Sequence, residues 1–211
     1  NNLVKTLKKY ELEQFEQLDG ILTISIVDNE DIGKLTRTKS ITIPYSLYPT
    51  ELNNDYSGVD LFHLGGMNWL PNKQASERLT CLLPHIQRTN TNVQLHFIGK
   101  GTNELNTQGK SGITTHGFID NIDEFCINIG ILVTPITSGS GIRIKILEMM
   151  RLGIPVITTS KGAQGIDVNY NKCLLIAKTD NELVNACNLL ISDKALRSEL
   201  GLSAKMYIAK F

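Results

Sequence analysis

The clearest chemical pattern in the sequence is a pair of glycines one residue apart, Gly139 and Gly141, which follow an apolar run that ends at Pro135. Glycine has no side chain, so backbone N–H groups in such a turn can approach a ligand closely. The helical periodicity after it predicts a helix that starts at the turn, and a helix N-terminus offers unpaired N–H groups and about half a positive charge. The pattern therefore predicts that the turn Ser138-Gly139-Ser140-Gly141 binds a phosphate.

Three charged side chains follow this turn: Arg143, Lys145 and Glu148. Basic residues near a helix N-terminus oppose the helix dipole, so we interpret Arg143 and Lys145 as mobile charge partners of a phosphate. At about 1.5 Å per residue, Glu148 lies on the order of 10 Å from the turn, where a carboxylate can accept hydrogen bonds from a ribose. The residues alone support two simpler interpretations as well as they support these roles. The glycines could form a plain tight turn, and Glu148 could form an ion pair with Lys145 or Arg151.

The elements that must position these residues alternate regularly from residue 59 to the end of the chain. We predict strands over 59–64, 93–98, 113–116, 131–134, 155–158 and 173–177, and helices over 74–88, 121–128, 141–152, 181–191 and 193–210. Apolar strands separated by helices are typical of a parallel sheet covered on both faces. The sequence therefore predicts an α/β fold, with a doubly wound Rossmann-like domain over 59–211.

The first part of the chain is organised differently. Residues 1–44 predict an α-β-α-β unit, and residues 45–58, rich in Pro, Tyr, Asn, Ser and Asp, predict a linker between domains. The chain opens with Asn1 rather than Met, inside a predicted helix, so we expect it to be part of a longer polypeptide.

Composition excludes several classes of partner. The 21 basic and 21 acidic residues cancel, so no net charge attracts the chain to nucleic acid. No apolar stretch reaches the roughly 20 residues that cross a bilayer, and we predict a cytoplasmic protein without a transmembrane segment.

The spacing of the cysteines favours buried thiols over zinc or disulfides, and the isolated histidines are predicted to be structural.

One segment resembles a known family. The run PITSGSGIRIKILEMMRLGIPVITTSKGAQGI (135–166) is similar to the donor-binding segment of the retaining GT-B glycosyltransferases, of the group 1 or family-4-like branch. FHLGGMNWLPNKQA resembles their first glycine loop, and GITTHGFIDNIDEF resembles the strand and loop that precede the nucleotide base. LDGILTISIVDNEDI resembles the last strand and helix of their N-terminal domain, so the likeness covers nearly the whole chain in order.

The resemblance implies a role for each matching residue. Glu148 matches the glutamate that holds the ribose. Residues 139–142 match the turn whose amides face the diphosphate, with Arg143 and Lys145 as its charge partners and as the candidate catalytic residues. The other implied donor-binding residues are Gly65 and Gly66 in the first glycine loop, and Phe118 and Ile119, whose backbone holds the nucleotide base.

The sequence also departs from the family pattern at two places. Ser140 stands where many relatives have a second glutamate that faces the donor sugar, so the sugar contacts must differ. Gly66 or Met67 stands where relatives often have an arginine in the first loop, and Lys73 follows nearby. Trp69 in the same loop is placed either to stack on a ligand or to pack inside the protein.

The resemblance implies transfer of a sugar from a nucleoside-diphosphate sugar, of the UDP or GDP type, to an acceptor hydroxyl. Residues 1–44 would be the tail of the acceptor domain, and a glycan or lipid-linked acceptor would bind through the missing part of that domain, in the cytoplasm or at the inner membrane surface. We expect no metal cofactor, because no DxD-type pair has a convincing loop context, and we expect the chain alone to bind nucleotide weakly without turnover. The alternatives are a sugar-nucleotide epimerase-like enzyme and a non-catalytic binding or scaffold domain.

Overall fold

The computed structural model describes residues 2–48, 50–107, 109–168 and 172–210. The chain divides into two compact units, one that extends to residue 46 and one that comprises residues 47–210. Among the described residues, no helix combines the length and the apolar character needed to span a bilayer.

The first unit is a small α-β-α-β element. It consists of α1 (Asn2–Phe15), β1 (Ile21–Thr23), α2 (Ile26–Leu35) and β2 (Ser40–Thr42), and the two strands pair in parallel. The apolar run 21–26 is long enough for a longer strand, but Ser25 caps α2 by accepting a hydrogen bond from the Asp28 amide at 3.4 Å. The cap starts the helix early, which shortens the strand.

The second unit contains the remaining elements around one six-stranded sheet. In chain order these are β3 (Asp60–Leu64), α3 (Leu70–Gln87), β4 (Leu95–Ile98), β5 (Ile113–Thr115), α4 (Ile122–Ile129), β6 (Gly130–Thr134), α5 (Ile144–Arg151), β7 (Val156–Thr158), β8 (Leu175–Ile176), α6 (Asp180–Ser192) and α7 (Lys194–Ile208). Every strand pair in the sheet is parallel, and the strand order is β5-β4-β3-β6-β7-β8. The predicted doubly wound α/β fold is confirmed.

The central strands are apolar because helices cover the sheet. Every residue of β6 is buried, and Leu61 and Phe62 of β3 have no exposed surface. In a strand buried on both faces, apolar side chains at consecutive positions stabilise the fold because all of them leave water. These strands therefore do not alternate between polar and apolar residues.

The strand order places a crevice between β3 and β6. From β3 the chain moves outward to β4 and β5, then returns to β6 on the other side of β3 and continues to β7 and β8. At such a reversal the loops after the two central strands diverge, and ligands of open α/β sheets bind there. The first glycine loop follows β3, and the turn at 138–142 follows β6, so both predicted phosphate loops lie at this switch point.

Two helices begin three or four residues away from the predicted start, and both lie beside the crevice. Helix α3 starts at Leu70 rather than Gln74, because Pro71 fits the first turn of a helix, where no backbone donor is needed. Helix α5 starts at Ile144 rather than Gly141, because φ is +92° at Gly139 and +78° at Gly141 and neither residue is helical. The phosphate turn is therefore a loop that precedes the helix.

The segment before β3 is held by the second unit. Asn54 donates a hydrogen bond to the Gly153 carbonyl at 3.2 Å, and the Arg197 guanidinium donates to the Tyr56 carbonyl at 2.9 Å. Asn54 and Tyr56, which lie in the predicted linker 45–58, thus contribute contacts to this unit.

The cysteines differ in burial. All four are free thiols, and Cys126, Cys173 and Cys187 are buried as predicted. Cys81 is exposed on α3, so the prediction that it is buried is wrong. Its neighbours Leu82 and Leu83 face the core, which turns position 81 toward solvent.

Candidate functional site

The turn between β6 and α5 presents unbonded backbone donors. The N–H groups of residues 138–142 donate no hydrogen bond to any residue that the structure describes. Backbone N–H groups are strong donors that need a partner when water is excluded. The turn therefore has the donors that an anion at this place would require.

Arg143 determines the direction in which these donors point. Its guanidinium group donates to the carbonyl oxygens of Ser140 at 2.5 Å, Gly141 at 2.6 Å and Ser138 at 3.3 Å. In a trans peptide the C=O of one residue and the N–H of the next point in opposite directions. The amides of residues 139, 141 and 142 therefore point away from the guanidinium group.

This role differs from the mobile charge that the sequence predicted. The Arg143 side chain is only 5% exposed, and it packs with its guanidinium carbon 5.5 Å from the centre of the Trp69 ring. Arginine fits such a place because its planar fork can bond several carbonyls while it stacks on an aromatic ring. In this structure Arg143 braces the turn.

Trp69 closes the other side of the turn. A Cβ atom on Gly139 would lie 3.0 Å from Cζ2 of Trp69 and 3.3 Å from Nη2 of Arg143, and φ at this glycine is +92°. Both the backbone conformation and the space therefore require glycine at position 139. Trp69 is 39% exposed, so packing against the turn occupies only part of its surface.

Lys145 is a half-buried cation held by neutral oxygen atoms. Its Nζ donates to the Leu64 carbonyl at 2.6 Å and to Oδ1 of Asn72 at 2.7 Å. Among the described residues, no carboxylate lies within ion-pairing distance of Nζ. Burial, and secondarily the charge of Arg143, lowers the pKa of Lys145 to about 7. An anion bound here would compensate this charge.

The two glycines of the first glycine loop differ in whether their amides are available to a ligand. The Gly65 amide donates to the Ile98 carbonyl at 2.8 Å, so it is used within the fold. The Gly66 amide donates to no residue in the described part of the chain, and the Gly66 carbonyl accepts from Asn72 at 3.0 Å. Of the two, Gly66 has the donor available for a ligand.

The Glu148 carboxylate has no partner among the residues that the structure describes. Arg151 pairs with Asp123 on α4, and no described residue forms a hydrogen bond or ion pair with the Glu148 carboxylate. The alternative of an intrahelical ion pair is therefore absent from the structure. Partial burial raises the pKa of Glu148, the negative charge of Asp123 raises it further, and Arg151 opposes the shift.

Phe118 and Ile119 lie in the loop after β5, at one side of the sheet. Phe118 is 68% exposed, and the Lys100 ammonium group lies 6.0 Å from the centre of its ring. Two strand spacings separate β5 from β3, about 10 Å across the sheet. That separation fits a nucleotide whose base and diphosphate bind at the two loops.

Two of the histidines that are isolated in the sequence, His96 and His116, are neighbours in space. Nδ1 of His96 lies 2.8 Å from Nε2 of His116, and Nε2 of His96 lies 3.7 Å from Oδ2 of Asp60. Burial lowers the pKa of both histidines, and the charge of His96 lowers that of His116 further. The ring of Phe125 on α4 stands edge-on to His116, with 4.8 Å between the ring centres, so this aromatic ring packs against the histidine pair.

Sequence reasoning missed Asn72 as a member of the site. Its side chain bonds both the first glycine loop and Lys145. A signal was present, because Pro71 directly after the loop indicates the first turn of a helix and places the next residue at the carboxyl end of β3. Residues 65, 66, 72, 139–142, 143 and 145 thus meet at the switch point, while Phe118 and Ile119 lie farther along the sheet edge.

Comparison with known proteins gives a family and a fold. Residues 58–193 match the family model described as glycosyl transferases group 1. Among curated proteins, no sequence is similar enough to count as a match.

Several solved structures share the fold at low sequence identity. TarM from S. aureus, solved as a mutant with fondaparinux, α-GlcNAc-glycerol and UDP, is 16% identical with a TM-score of 0.76, over 96% of this chain and 43% of TarM. Sucrose-phosphate synthase from Thermosynechococcus elongatus is 17% identical with a TM-score of 0.76, over 98% of this chain and 57% of that one. Anabaena HepE, in complex with UDP and glucose, is 14% identical with a TM-score of 0.73, over 97% of this chain and 62% of HepE. This chain thus spans about half the length of the first two of these proteins.

Proposed function

This chain belongs to the group 1 glycosyl transferases, and we propose that it binds the nucleoside-diphosphate sugar from which the whole protein transfers a sugar to an acceptor hydroxyl. The observation that carries the proposal is the turn at 138–142, whose amides donate to no described residue and lie at the same switch point as the Lys145 ammonium group, which no described carboxylate pairs with. Unbonded donors together with an unpaired cation are the features that bind phosphate groups.

The chemistry that this site can assist is departure of the diphosphate. When the bond between sugar and diphosphate breaks, negative charge grows on the leaving phosphate oxygens. Fixed donors at the place where charge develops lower the barrier, because they need no reorganisation during the reaction. We assign this role to the amides of residues 139, 141 and 142 and to Lys145, and we assign to Arg143 the role of orienting the amides.

We further propose that no metal ion takes part and that the sugar retains its anomeric configuration. The positive charge supplied by Lys145 and the turn would replace that of a divalent cation. Sugar transfer by the full-length protein should then be unchanged in EDTA, and NMR of the product should show the anomeric configuration of the donor. Loss of activity in EDTA that Mg²⁺ or Mn²⁺ restores would contradict the first proposal.

UDP is our first candidate for the nucleotide. TarM and HepE have been solved with UDP, and both share the fold of this chain. We place the base at the loop of Phe118 and Ile119 and the ribose at Glu148, whose carboxylate has no other partner among the described residues. The acceptor, a glycan or a lipid-linked sugar, would be bound by the domain to which residues 1–44 belong, in the cytoplasm at the inner membrane.

Calorimetry with UDP and GDP tests the proposal. We expect one of them to bind, and Glu148→Ala to weaken binding by about tenfold or more, the loss of one to two hydrogen bonds to a charged group. Glu199→Ala is the matched control, because Glu199 is exposed on α7, away from the site. If the folded chain binds neither nucleotide, the proposed function is wrong, and a scaffold role becomes the better account.

A further inference from the structure

The side chain of Asn72 joins the two glycine loops of the crevice. It is 5% exposed in the first turn of α3, where Nδ2 donates to the Gly66 carbonyl at 3.0 Å and Oδ1 accepts from Lys145 at 2.7 Å. Lys145 lies in the first turn of α5, directly after the turn at 138–142. One amide side chain thus connects the loop after β3 to the helix that follows the other loop.

The groups around Lys145 leave its charge uncancelled. His63 on β3 is fully buried and its Nδ1 lies 3.0 Å from the Val133 carbonyl, so Nδ1 carries the proton and Nε2 is a neutral acceptor. Burial, and then the charge of Lys145, holds the pKa of His63 well below its ordinary value. The charged neighbour is Arg143, which has the same sign. Within the described part of the chain, Lys145 therefore meets only neutral or positive groups from β3, α3 and its own turn.

We propose that Asn72 is a positioning residue for the donor diphosphate, one that holds the Lys145 ammonium group between the two glycine loops without neutralising it. An amide is suited to this because it offers an acceptor to Lys145 and a donor to the Gly66 carbonyl. An aspartate of the same shape would pair with Lys145 and would have no donor for Gly66. The inference rests on the proposed function, since the diphosphate is the ligand that Lys145 would bind.

A consequence is that diphosphate binding takes up a proton. The pKa of Lys145 is lowered to about 7, and an anion beside it would raise that pKa. Below pH 7 the ammonium group is already charged, and affinity should not vary with its titration. Above pH 7 binding must add a proton, so affinity should fall, at most about tenfold per pH unit.

The experiment compares the wild-type chain with Asn72→Asp, Asn72→Ala and the control Ser76→Ala. Ser76 is buried one turn further along α3 and donates to the backbone carbonyl of Asn72, so it reports the cost of losing a buried polar group there. UDP and GDP affinities are measured by calorimetry at pH 6, 7, 8 and 9. The pKa of Lys145 is measured separately by NMR of ¹³C-labelled lysine, and thermal melts confirm folding.

We expect Asn72→Asp to raise the pKa of Lys145, to weaken nucleotide binding by about tenfold or more, and to remove the fall in affinity above pH 7. Asn72→Ala should also weaken binding by about tenfold, because Lys145 loses its tether, and Ser76→Ala should bind as the wild type does. Wild-type affinity and pH dependence in both Asn72 variants would overturn the inference alone. Failure of the wild type to bind either nucleotide would overturn the proposed function, and the role of Asn72 in donor binding with it, even if Asn72→Asp still raised the pKa of Lys145.

Discussion

At the scale of single residues, the candidate site depends on which polar groups the fold leaves without partners. The sequence identified Arg143 and Lys145 by their unusual place near a helix N-terminus, and both lie at the crevice. It could not tell that Arg143 would turn back to the carbonyls of Ser138, Ser140 and Gly141, since that contact depends on the left-handed backbone at the two glycines. Side-chain direction at an irregular turn is a property of the folded backbone.

Gly139→Ala should damage the site with little damage to the rest of the fold. The substitution places a Cβ 3.0 Å from Trp69 at φ +92°, which costs about 1–2 kcal/mol of stability. Because the turn must shift, we expect UDP affinity to fall by about tenfold or more in calorimetry. Gly33→Ala, in the last turn of α2 with no neighbouring element within 4 Å of the added Cβ, should leave affinity unchanged. Normal affinity in Gly139→Ala would show that the turn does not contact the ligand.

At the scale of elements, sequence reasoning located the strands well and the helix starts less well. Strands β3 and β6 follow directly from apolar runs, because a strand buried on both faces needs apolar residues at successive positions. The start of α5 was predicted three residues early, because Gly141 and Ile142 continue the helical pattern of apolar positions even though the backbone is not yet helical. Helix starts depend on backbone angles and caps, which periodicity does not report.

The lowered pKa values of the histidines in β3, β4 and the loop after β5 should make stability depend on pH. Burial lowers the pKa of His63, His96 and His116 from the ordinary value of 6.5. Below pH 6.5 the unfolded chain therefore binds more protons than the folded chain, so the free energy of unfolding should decrease as pH falls. Urea unfolding at pH 7.5, 6.5 and 5.5 measures this decrease. The pKa of Glu148 is raised, so its protonation increases the free energy of unfolding as pH falls and partly offsets this decrease.

His116→Gln isolates the contribution of the histidine pair. The glutamine cannot take up a proton, so this variant should lose less stability than the wild type between pH 7.5 and 5.5. Equal losses in the two proteins would show that His116 does not titrate differently in the folded chain.

At the scale of the whole molecule, the order of the strands assembles the site. Chain order alone did not show that β3 would lie between β4 and β6. The resemblance supplied that arrangement indirectly, because it identified both glycine loops as parts of one phosphate site. The division near residue 46 follows from contacts of Asn54 and Tyr56 that no local pattern in the polar segment before β3 indicates.

The position of the site within one unit predicts the result of a truncation. All candidate site residues lie between positions 63 and 148, within the unit that comprises residues 47–210. A chain that starts at Leu47 should therefore melt cooperatively and bind UDP with the affinity of the longer chain. A loss of more than about tenfold in affinity would show that the first unit contributes to nucleotide binding.

The buried Arg197 should be essential to that unit. It donates to the backbone carbonyls of Tyr56, Leu190 and Ile191. Arg197→Leu leaves those carbonyls unbonded, and we expect a loss of about 2–3 kcal/mol in urea unfolding. Lys194→Leu, a surface substitution at the start of α7, is the control and should change stability by less than about 0.5 kcal/mol.

The most direct test of the account is a titration of the ¹⁵N-labelled chain with UDP, followed by NMR, with uridine as the ligand that lacks phosphates. If the turn after β6 binds the diphosphate, the amide signals of Gly139, Gly141 and Ile142 should shift strongly with UDP and hardly at all with uridine. Saturable binding of UDP that leaves these three amide signals in place would contradict the account.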